Sequence, residues 1–443
     1  MQIIQIVLAL SILILIHELG HFTFARIFGI RIDKFFLFFD AGGVKLFSTK
    51  SKWFLKLFPK AANWQTEYGI GWLPLGGYCK VNGMIDESMD TEHLKQEPQP
   101  WEFRSKPAWQ RLFVMAGGVL FNFVLGIMLY SFILCKWGET YISAQDNCIY
   151  VEEGTLADEM GFRTGDRILA LDGKAPKNFL MIQLDMARDM VSSVTLSRGN
   201  DTIDLYVDQK YISDMLSTPL LFEPAVPFVV TGIPEKSINK DSGLLPGDRI
   251  IAIDTIATAY LQDAAPVLKS KAGQETTVTV QRDSAVLSIP LNINQDGTIG
   301  IYTQYPHIER LQYSFLESIP AGFVKAYEAI VGQIKDMRLV AKPSTGAYKQ
   351  VRSVIGMTEV MPTEWNWAIF INIMAMISIV LGVMNLLPIP ALDGGHMVFT
   401  IYEMITRKKP SDNFMYVMQL IGMFFIFGLM FLACGNDIAR LLK

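Results

Sequence analysis

The chain has 443 residues, of which 51% are hydrophobic and 19% are charged, and its mean hydropathy is +0.28. Soluble proteins carry about 25% charged residues, so this composition excludes a disordered or fibrous chain and argues against a wholly soluble enzyme. The net charge of −4 offers no basic domain for nucleic acid, and the four widely spaced cysteines fit neither a thiolate zinc site nor a disulfide framework.

Residues 1–30 predict the first of four membrane helices. Their apolar run covers residues 3–28, and a helix needs about 20 such residues to cross a bilayer. No basic segment precedes the run and no small-residue cleavage motif follows it. We therefore expect a retained membrane helix rather than a removable signal peptide.

A polar cluster, His17-Glu18-Leu19-Gly20-His21, interrupts this apolar run. Positions i and i+4 share one face of a helix, so both imidazoles can bind one zinc ion, with Glu18 placed to accept a proton from bound water. Ionisable groups in a membrane helix cost ~2.5 kcal/mol or more each and mark functional sites by default. The alternative is a polar patch that joins helices.

The next two segments return the chain across the membrane. Residues 31–107 predict a cytoplasmic β region and loop. Residues 108–135 predict the second membrane helix, which carries no charge from residue 112 onward.

The segment 136–305 has ordinary polarity and contains an internal repeat. Residues 161–172 recur 82 positions later as residues 243–254, with the shared pattern G-x-x-x-G-D-R-I-x-A-x-D. This pattern resembles that of the PDZ domain and predicts two α+β domains, at 136–221 and 222–305. They could bind peptides by strand addition or act only as spacers, and the repeated turn and core positions do not decide between these roles.

Residues 306–366 predict an amphipathic helix, from residue 306 to about residue 340, and a linker. The helix could lie on the external membrane surface or dock against the membrane helices, and we favour docking. Residues 367–405 predict the third membrane helix. Residues 406–443 predict a cytoplasmic turn followed by the fourth membrane helix.

Basic residues near the membrane ends indicate the orientation. They cluster between the first two helices and between the last two: Arg26, Arg31, Lys34, Arg104, Lys106, Arg111, Arg407, Lys408 and Lys409. Such loops are typically cytoplasmic, which places both termini and the 136–366 segment outside.

A third metal ligand must come from another part of the chain, because zinc hydrolases usually have three protein ligands and one open position. His93 lies in a polar loop and His307 on the external side, which leaves Asp393 and His396 after a Pro-x-Pro segment. The first and third helices run in the same direction, so these residues lie near the depth of the two histidines. We favour Asp393, which with two neutral histidines leaves a net charge of +1, and keep His396 as the alternative ligand.

The two motifs together resemble the site-2 protease family of intramembrane zinc metalloproteases. The family's H-E-x-x-H matches His17 to His21, its L-D-G matches Leu392-Asp393-Gly394, and the PDZ-like pair between the second and third helices matches as well. The resemblance covers essentially the whole chain. It implies zinc held by His17, His21 and Asp393, with Glu18 as the general base.

Two further segments carry the resemblance. Gly118-Val-Leu-Phe-Asn122 fits the family's G-x-x-x-N, where a small residue allows close helix approach. Residues 74–80 resemble its membrane-reentrant β-hairpin, which would place Gly76, Gly77 and Tyr78 beside an unwound substrate. A plain cytoplasmic turn is the alternative. Asn385 is the remaining candidate for substrate binding.

The chain departs from the family pattern at three places. Val380 stands where an asparagine is common, and Val119 follows Gly118 where relatives often have proline. The usual Ser-Gly-Pro-Ile segment has only Ser353-Val-Ile-Gly356 as its nearest counterpart. These departures concern substrate preference and leave the predicted metal ligands and base intact.

The sequence thus predicts a polytopic α-helical membrane protein with two inserted α+β PDZ-like domains and a membrane-reentrant β-hairpin. The resemblance implies a zinc metalloendopeptidase of regulated intramembrane proteolysis in a bacterial inner membrane, with its PDZ-like domains and both termini periplasmic. Its expected substrates are single-pass membrane proteins of the anti-sigma factor type, with remnant signal peptides as a second class. The rivals are an inactive membrane-anchored PDZ binding protein and a transporter that uses Asp393, and both leave the His-x-x-x-His spacing unexplained.

Overall fold

The computed structural model describes residues 1–84 and 97–442, and its contacts divide the chain into two units. The membrane unit comprises Met1–Gly138, Gln312–Ala341 and Tyr348–Lys443. The repeat unit comprises Glu139–Leu311 and Lys342–Ala347.

Helices dominate the membrane unit, and strands dominate the repeat unit. The helices are α1 (Gln2–Ile27), α2 (Lys52–Leu57), α3 (Ala108–Trp137), α4 (Leu156–Glu159), α5 (Ile182–Asp189), α6 (Ile212–Ser217), α7 (Leu261–Ser270), α8 (Phe315–Val340), α9 (Val354–Met357), α10 (Trp367–Leu386), α11 (Asp393–Thr406) and α12 (Asp412–Leu441). The strands are β1 (Ile32–Phe39), β2 (Lys45–Ser48), β3 (Glu67–Gly71), β4 (Leu73–Val81), β5 (Glu139–Ile142), β6 (Ile149–Tyr150), β7 (Arg167–Leu171), β8 (Ser193–Arg198), β9 (Asp201–Tyr206), β10 (Glu223–Pro224), β11 (Val230–Gly232), β12 (Arg249–Ile253), β13 (Ile256–Ala257), β14 (Glu275–Arg282), β15 (Ala285–Asn292), β16 (Tyr302–Thr303) and β17 (Ile308–Leu311).

Within the described residues, 4 helices are long and apolar enough to cross a membrane: α1, α3, α10 and the Asn413–Arg440 part of α12. This confirms the four predicted spans. Ile6 and Leu13 of α1 are buried against Phe370 and Ile377 of α10. Many other apolar side chains of these helices face outward, as expected where the solvent is lipid.

The third predicted helical segment is divided into α10 and α11. Helix α10 ends at Leu386 and α11 begins at Asp393. Pro388 and Pro390 between them have no backbone N–H to donate to a continuous helix. Ala391 has a φ of +96°, a conformation that a non-glycine residue adopts only where the surrounding structure imposes it. The break therefore makes Asp393 the first residue of a new helix.

Helix α8 begins later than predicted. Residues 308–311 form β17, which pairs antiparallel with β5, so the prediction of helix from residue 306 was wrong at this end. The helix starts after Ser314, whose hydroxyl accepts from the Glu317 N–H while Glu317 accepts from the Ser314 N–H. This capping box fixes the start. The helix docks through Ala326, which is buried with Tyr130 of α3 and Ala375 of α10.

The membrane unit also contains a four-stranded sheet in the order β2-β3-β1-β4. Strand β1 pairs parallel with β3 and antiparallel with β4, so β4 lies at the sheet edge. The segment 74–80 forms one strand within this sheet and pairs with β1, rather than forming both arms of a hairpin or a plain turn. Strand β4 passes close to α1, because a Cβ on Gly77 would lie 3.0 Å from Cγ2 of Ile14.

The repeat unit contains two copies of one arrangement. The first copy has the sheet β7-β8-β9, the pair β6–β10 and helix α5. The second copy has the sheet β13-β12-β14-β15, the pair β11–β16 and helix α7. Because β10 pairs with β6, residues 223–224 belong to the first copy, although the repeat boundary was predicted at 222.

A buried ion pair explains the Gly-Asp sequence of both copies. Asp166 is fully buried and accepts from Nε and a terminal nitrogen of Arg198, both at 2.8 Å. Asp248 is 1% exposed and accepts from the same two groups of Arg282, at 2.6 and 2.7 Å. Such two-point pairing satisfies a buried carboxylate. The structural repeat therefore also includes Arg198 and Arg282, which lie outside the repeated sequence motif.

Candidate metal centre

Three predicted ligands meet in the membrane unit. Nε2 of His17 lies 3.2 Å from Nε2 of His21, and Oδ2 of Asp393 lies 3.1 and 3.4 Å from these two nitrogens. Two ligand atoms on one tetrahedral zinc ion lie about 3.3 Å apart, given zinc bond lengths of about 2.0–2.1 Å. All three side chains are mostly buried. The geometry fits a single ion of that size.

The hydrogen bonding of these groups also fits a cation. Nδ1 of His21 lies 2.8 Å from the carbonyl oxygen of Val114, so Nδ1 carries the proton and Nε2 presents a lone pair. Oδ2 of Asp393 is buried and, among the described residues, has no well-oriented hydrogen bond. Acceptor atoms gathered this closely repel one another unless a cation lies between them.

The ring of His17 contacts Asn122 of α3. The amide nitrogen Nδ2 of Asn122 lies 3.1 Å from Nδ1 of His17, and Oδ1 of Asn122 has no partner among the described residues. If Nε2 of His17 binds a metal, Nδ1 carries the proton and needs an acceptor, which the Asn122 amide supplies when it is turned by 180° so that the partnerless Oδ1 faces Nδ1. The Asn122 carbonyl accepts from the Ser378 hydroxyl of α10 at 2.8 Å, which fixes this part of α3.

Gly118 of α3 lies directly against both imidazoles. A Cβ at this position would be 2.5 Å from Nε2 of His21 and 2.6 Å from Cε1 of His17. A side chain there would occupy the metal position or displace the rings. Gly118 and Asn122, the two defined residues of the G-x-x-x-N motif, therefore both contact the histidine rings. From the sequence we expected only that Gly118 allows close approach of two helices.

Asp393 reaches the site because the chain turns sharply before α11. A Cβ on Gly394 would lie 2.1 Å from the carbonyl oxygen of Leu387, so only glycine permits this turn after Asp393. The requirement accounts for the glycine of the L-D-G motif. It also explains how a residue beyond the end of α10 faces the histidines of α1.

The alternative third ligands take other positions. His396 forms a hydrogen bond with Gln419 of α12 and is not part of the three-atom cluster. His307 lies in the repeat unit near Asp146 and Glu309. His93 lies outside the described residues.

A cavity of about 760 Å³ opens beside the cluster. Glu18 lines it and accepts a hydrogen bond from the Cys79 backbone N–H of β4. The four residues predicted to bind substrate also line this cavity: Gly76, Gly77, Tyr78 and Asn385. Glu18, the three predicted ligand side chains and an edge strand therefore line one cavity.

A polar network in the cavity wall was not predicted from the sequence. Asp40 accepts from the Tyr78 hydroxyl at 2.8 Å and from Lys34 at 3.0 Å. The Tyr78 ring stacks with Phe36 and Phe39, at centroid distances of 5.5 and 5.9 Å. These contacts hold one end of β4 against β1. Only the register between the two strands brings these residues together, so no local motif could have indicated them.

Comparisons with known proteins agree with these motifs. The chain matches the sequence model of peptidase family M50 over residues 5–429. It is 26% identical to a Vibrio cholerae protein provisionally named a zinc metalloprotease, over 99% of this chain and 98% of that protein. It is also 26% identical to the regulator of sigma E protease of Haemophilus influenzae, over 98% of each chain. A Helicobacter pylori protein, again provisionally named a zinc metalloprotease, is 26% identical over 98% of this chain and 99% of that protein.

The match includes both motifs and reaches into the fourth membrane helix, so it is not limited to a shared domain. The chain therefore belongs to peptidase family M50, the site-2 protease type of zinc metalloprotease, as its paired motifs predicted.

Proposed function

We propose that this protein is an intramembrane zinc endopeptidase that cleaves peptide bonds in or near single-pass membrane helices. The observation that carries the proposal is the convergence of two imidazole nitrogens and one carboxylate oxygen within 3.4 Å, beside Glu18 in a cavity of the membrane unit. A patch that only joined helices would pair donors with acceptors. Nε2 of His21, whose Nδ1 donates to Val114, and Oδ2 of Asp393 are two acceptors only 3.4 Å apart, which supports a bound cation.

The proposed mechanism assigns one role to each group. His17, His21 and Asp393 would hold the ion, and bound zinc supplies a Lewis acid that polarises the scissile carbonyl and lowers the pKa of a water toward ~7. Glu18 accepts the proton of the attacking water and then donates it to the leaving amine. The Cys79 N–H orients the Glu18 carboxylate within the cavity. With its amide turned so that Oδ1 accepts from Nδ1, Asn122 would keep the His17 ring in the tautomer that presents Nε2.

Strand β4 is the proposed binding surface for the substrate backbone. A peptide bond inside a helix has its carbonyl hydrogen-bonded, so the substrate must unwind before attack. An extended segment can then pair with an exposed sheet edge, as in other cases of strand addition. Gly76 and Gly77 allow β4 to pack closely against Phe39 and Ile14, and both glycines line the cavity together with Tyr78 and Asn385. We assign these four residues to substrate binding and the sheet to a membrane-reentrant position.

The substrate class and location follow from the relatives and the charge pattern. The Haemophilus relative is named for regulating sigma E, which supports membrane-anchored anti-sigma factors as substrates. Remnant signal peptides are a second class. We place the protein in the bacterial inner membrane with the repeat unit and both termini in the periplasm. The two repeats act there as PDZ-like domains that exclude substrates with intact external domains.

Orientation has a direct test in cells. A cysteine replacing the exposed Glu97 should resist a membrane-impermeant thiol reagent in intact spheroplasts, whereas a cysteine replacing the exposed Glu153 should react. The parent chain has four native cysteines, so its labelling is the background for both variants. Labelling at position 97 and not at position 153 would reverse the orientation.

The decisive test of the reaction is Glu18→Gln in purified full-length protein. Zinc content should stay near one ion per chain, because the three ligands are unchanged, while cleavage of a model membrane peptide should be lost. Glu359→Gln, at an exposed residue 51% accessible, serves as the matched control and should cleave normally. Cleavage retained by Glu18→Gln would exclude Glu18 as the base, and a wild-type chain without cleavage would favour the inactive binding protein.

A further inference from the structure

One face of α3 contacts both histidines of the metal centre. Val114, Gly118 and Asn122 are spaced by four residues, so they share this face. Val114 accepts from His21, Gly118 lies against both rings, and Asn122 binds His17. Helix α3 therefore fixes the two ligands that α1 contributes.

Arg111 extends the same face by one turn and binds the helix that carries the third ligand. A terminal nitrogen of its guanidinium donates to Oε1 of Glu403 on α11 at 2.5 Å, and the two side chains are 9% and 19% exposed. The Nε of Arg111 also donates to the Lys106 carbonyl at 3.1 Å, which restrains the guanidinium. Charge-assisted bonds in such low exposure are stronger than those on a surface.

The ion pair acts on α11 at the end opposite Asp393. Glu403 lies 10 residues after Asp393 on one continuous helix, a distance of about 15 Å at 1.5 Å per residue. At its other end, α11 joins α10 through a non-helical segment that contains two prolines and the positive φ of Ala391. This link holds α11 where the helix begins, because Gly394 packs against the backbone of Leu387, and a restraint at the far end of α11 must come from its contacts with α3. The ion pair supplies that restraint.

We propose that Arg111 and Glu403 are positioning residues that fix the axial register of α11 against α3, so that Asp393 meets both histidines. This inference rests on the proposed metal site and adds two residues to it that do not touch the ion. Helix α3 then aligns all three ligands, through side-chain and backbone contacts to α1 and through the ion pair to α11. A rigid helix transmits the restraint along its length.

The test measures metal binding by full-length protein in detergent. Glu403→Gln removes the charge and keeps the side-chain shape, and the double variant Arg111→Met with Glu403→Met removes both charges without leaving one buried and unpaired. Glu359→Gln breaks the exposed pair with Arg440 and is the matched control. The readouts are the zinc Kd by chelator competition, the d–d absorption spectrum with cobalt, and the unfolding temperature.

We expect both test variants to raise the zinc Kd about tenfold, within the range by which residues remote from a site change its affinity, and to alter the cobalt spectrum. The double variant should unfold near the wild-type temperature, and the control should match wild type in every readout. A double variant with the wild-type Kd and cobalt spectrum would overturn the positioning role, whatever its stability. Wild-type protein that binds no zinc would instead overturn the metal site itself.

Discussion

Nε2 of His17 and Oδ2 of Asp393 lie 3.1 Å apart, although the first residue belongs to the first membrane helix and the second follows the end of the third. The contact joins two motifs that are remote in sequence. Asp393→Ala should therefore reduce the zinc content measured by atomic absorption to well below one ion per chain. His396→Ala removes a side chain that forms a hydrogen bond with Gln419, and the zinc content should stay near one ion per chain. The reverse result would make His396 the third ligand.

Gly118→Ala should abolish metal binding while leaving the helix intact. The added Cβ would lie 2.5 Å from Nε2 of His21, where the ion would bind. Alanine is favoured over glycine in a helix by about 1 kcal/mol, so α3 itself should not be weakened. The measurements are zinc content and peptide cleavage, and we expect cleavage to fall about 100-fold or more, because a misplacement of 1 Å near a reacting centre can cost that much.

Gly428→Ala provides the matched control for this substitution. It is also a glycine in a membrane helix, but a Cβ there would meet no described atom within 4 Å. It should retain zinc and activity. A Gly118→Ala protein that holds one zinc ion with unchanged cleavage would show that the rings and the ion do not use this space.

Asn122→Ala should weaken zinc binding by about 10- to 100-fold, the range typical for loss of a group that orients a metal ligand. Without the amide, the Nδ1 proton of His17 has no acceptor in place and the ring is free to turn. Asn122→Asp keeps an acceptor oxygen at the same position and should restore most of the affinity. Chelator competition measures both values. Equal weakening by alanine and aspartate would indicate a packing role for Asn122 rather than ring orientation.

The second repeat should lose stability in acid through Asp248. Hydrogen bonds from Arg282 hold the pKa of this carboxyl below its usual value, despite the opposing effect of burial. Ionised Asp248 therefore stabilises the fold at pH values above its unfolded pKa, and this contribution is lost as the pH falls through the folded pKa. Asp248→Asn should speed hydrogen exchange in β12 at neutral pH, and the difference from wild type should shrink in acid.

Asp241→Asn is the control for this pH dependence. Asp241 is exposed and lies in the same repeat, so its replacement should leave exchange in β12 unchanged at every pH. A difference between Asp248→Asn and wild type that stayed constant from neutral to acid pH would contradict the assigned role of the ionised carboxylate.

Local patterns were sufficient to determine the membrane helices and part of the site. Apolar length alone predicted four spans, because crossing a bilayer demands about 20 apolar residues whatever the fold. The spacing of His17 and His21 placed both rings on one face, because helix geometry is fixed by the backbone. The paired prolines likewise indicated a helix break before Asp393.

Tertiary structure alone decided which residues of α3 and α11 surround the predicted ligands. The roles of Asn122 and Gly118 depend on the face that α3 presents to α1, and the pairing of Arg111 with Glu403 depends on how α11 packs on α3. Neither relationship has a fixed spacing in sequence. The start of α8 was mispredicted because Leu311 and Phe315 are spaced as on one helix face, whereas residues 308–311 pair with β5, a partner far away in the chain. The spacing of apolar residues along the sequence indicates whether one segment is a helix or a strand. The contacts between segments form only when their surfaces pack.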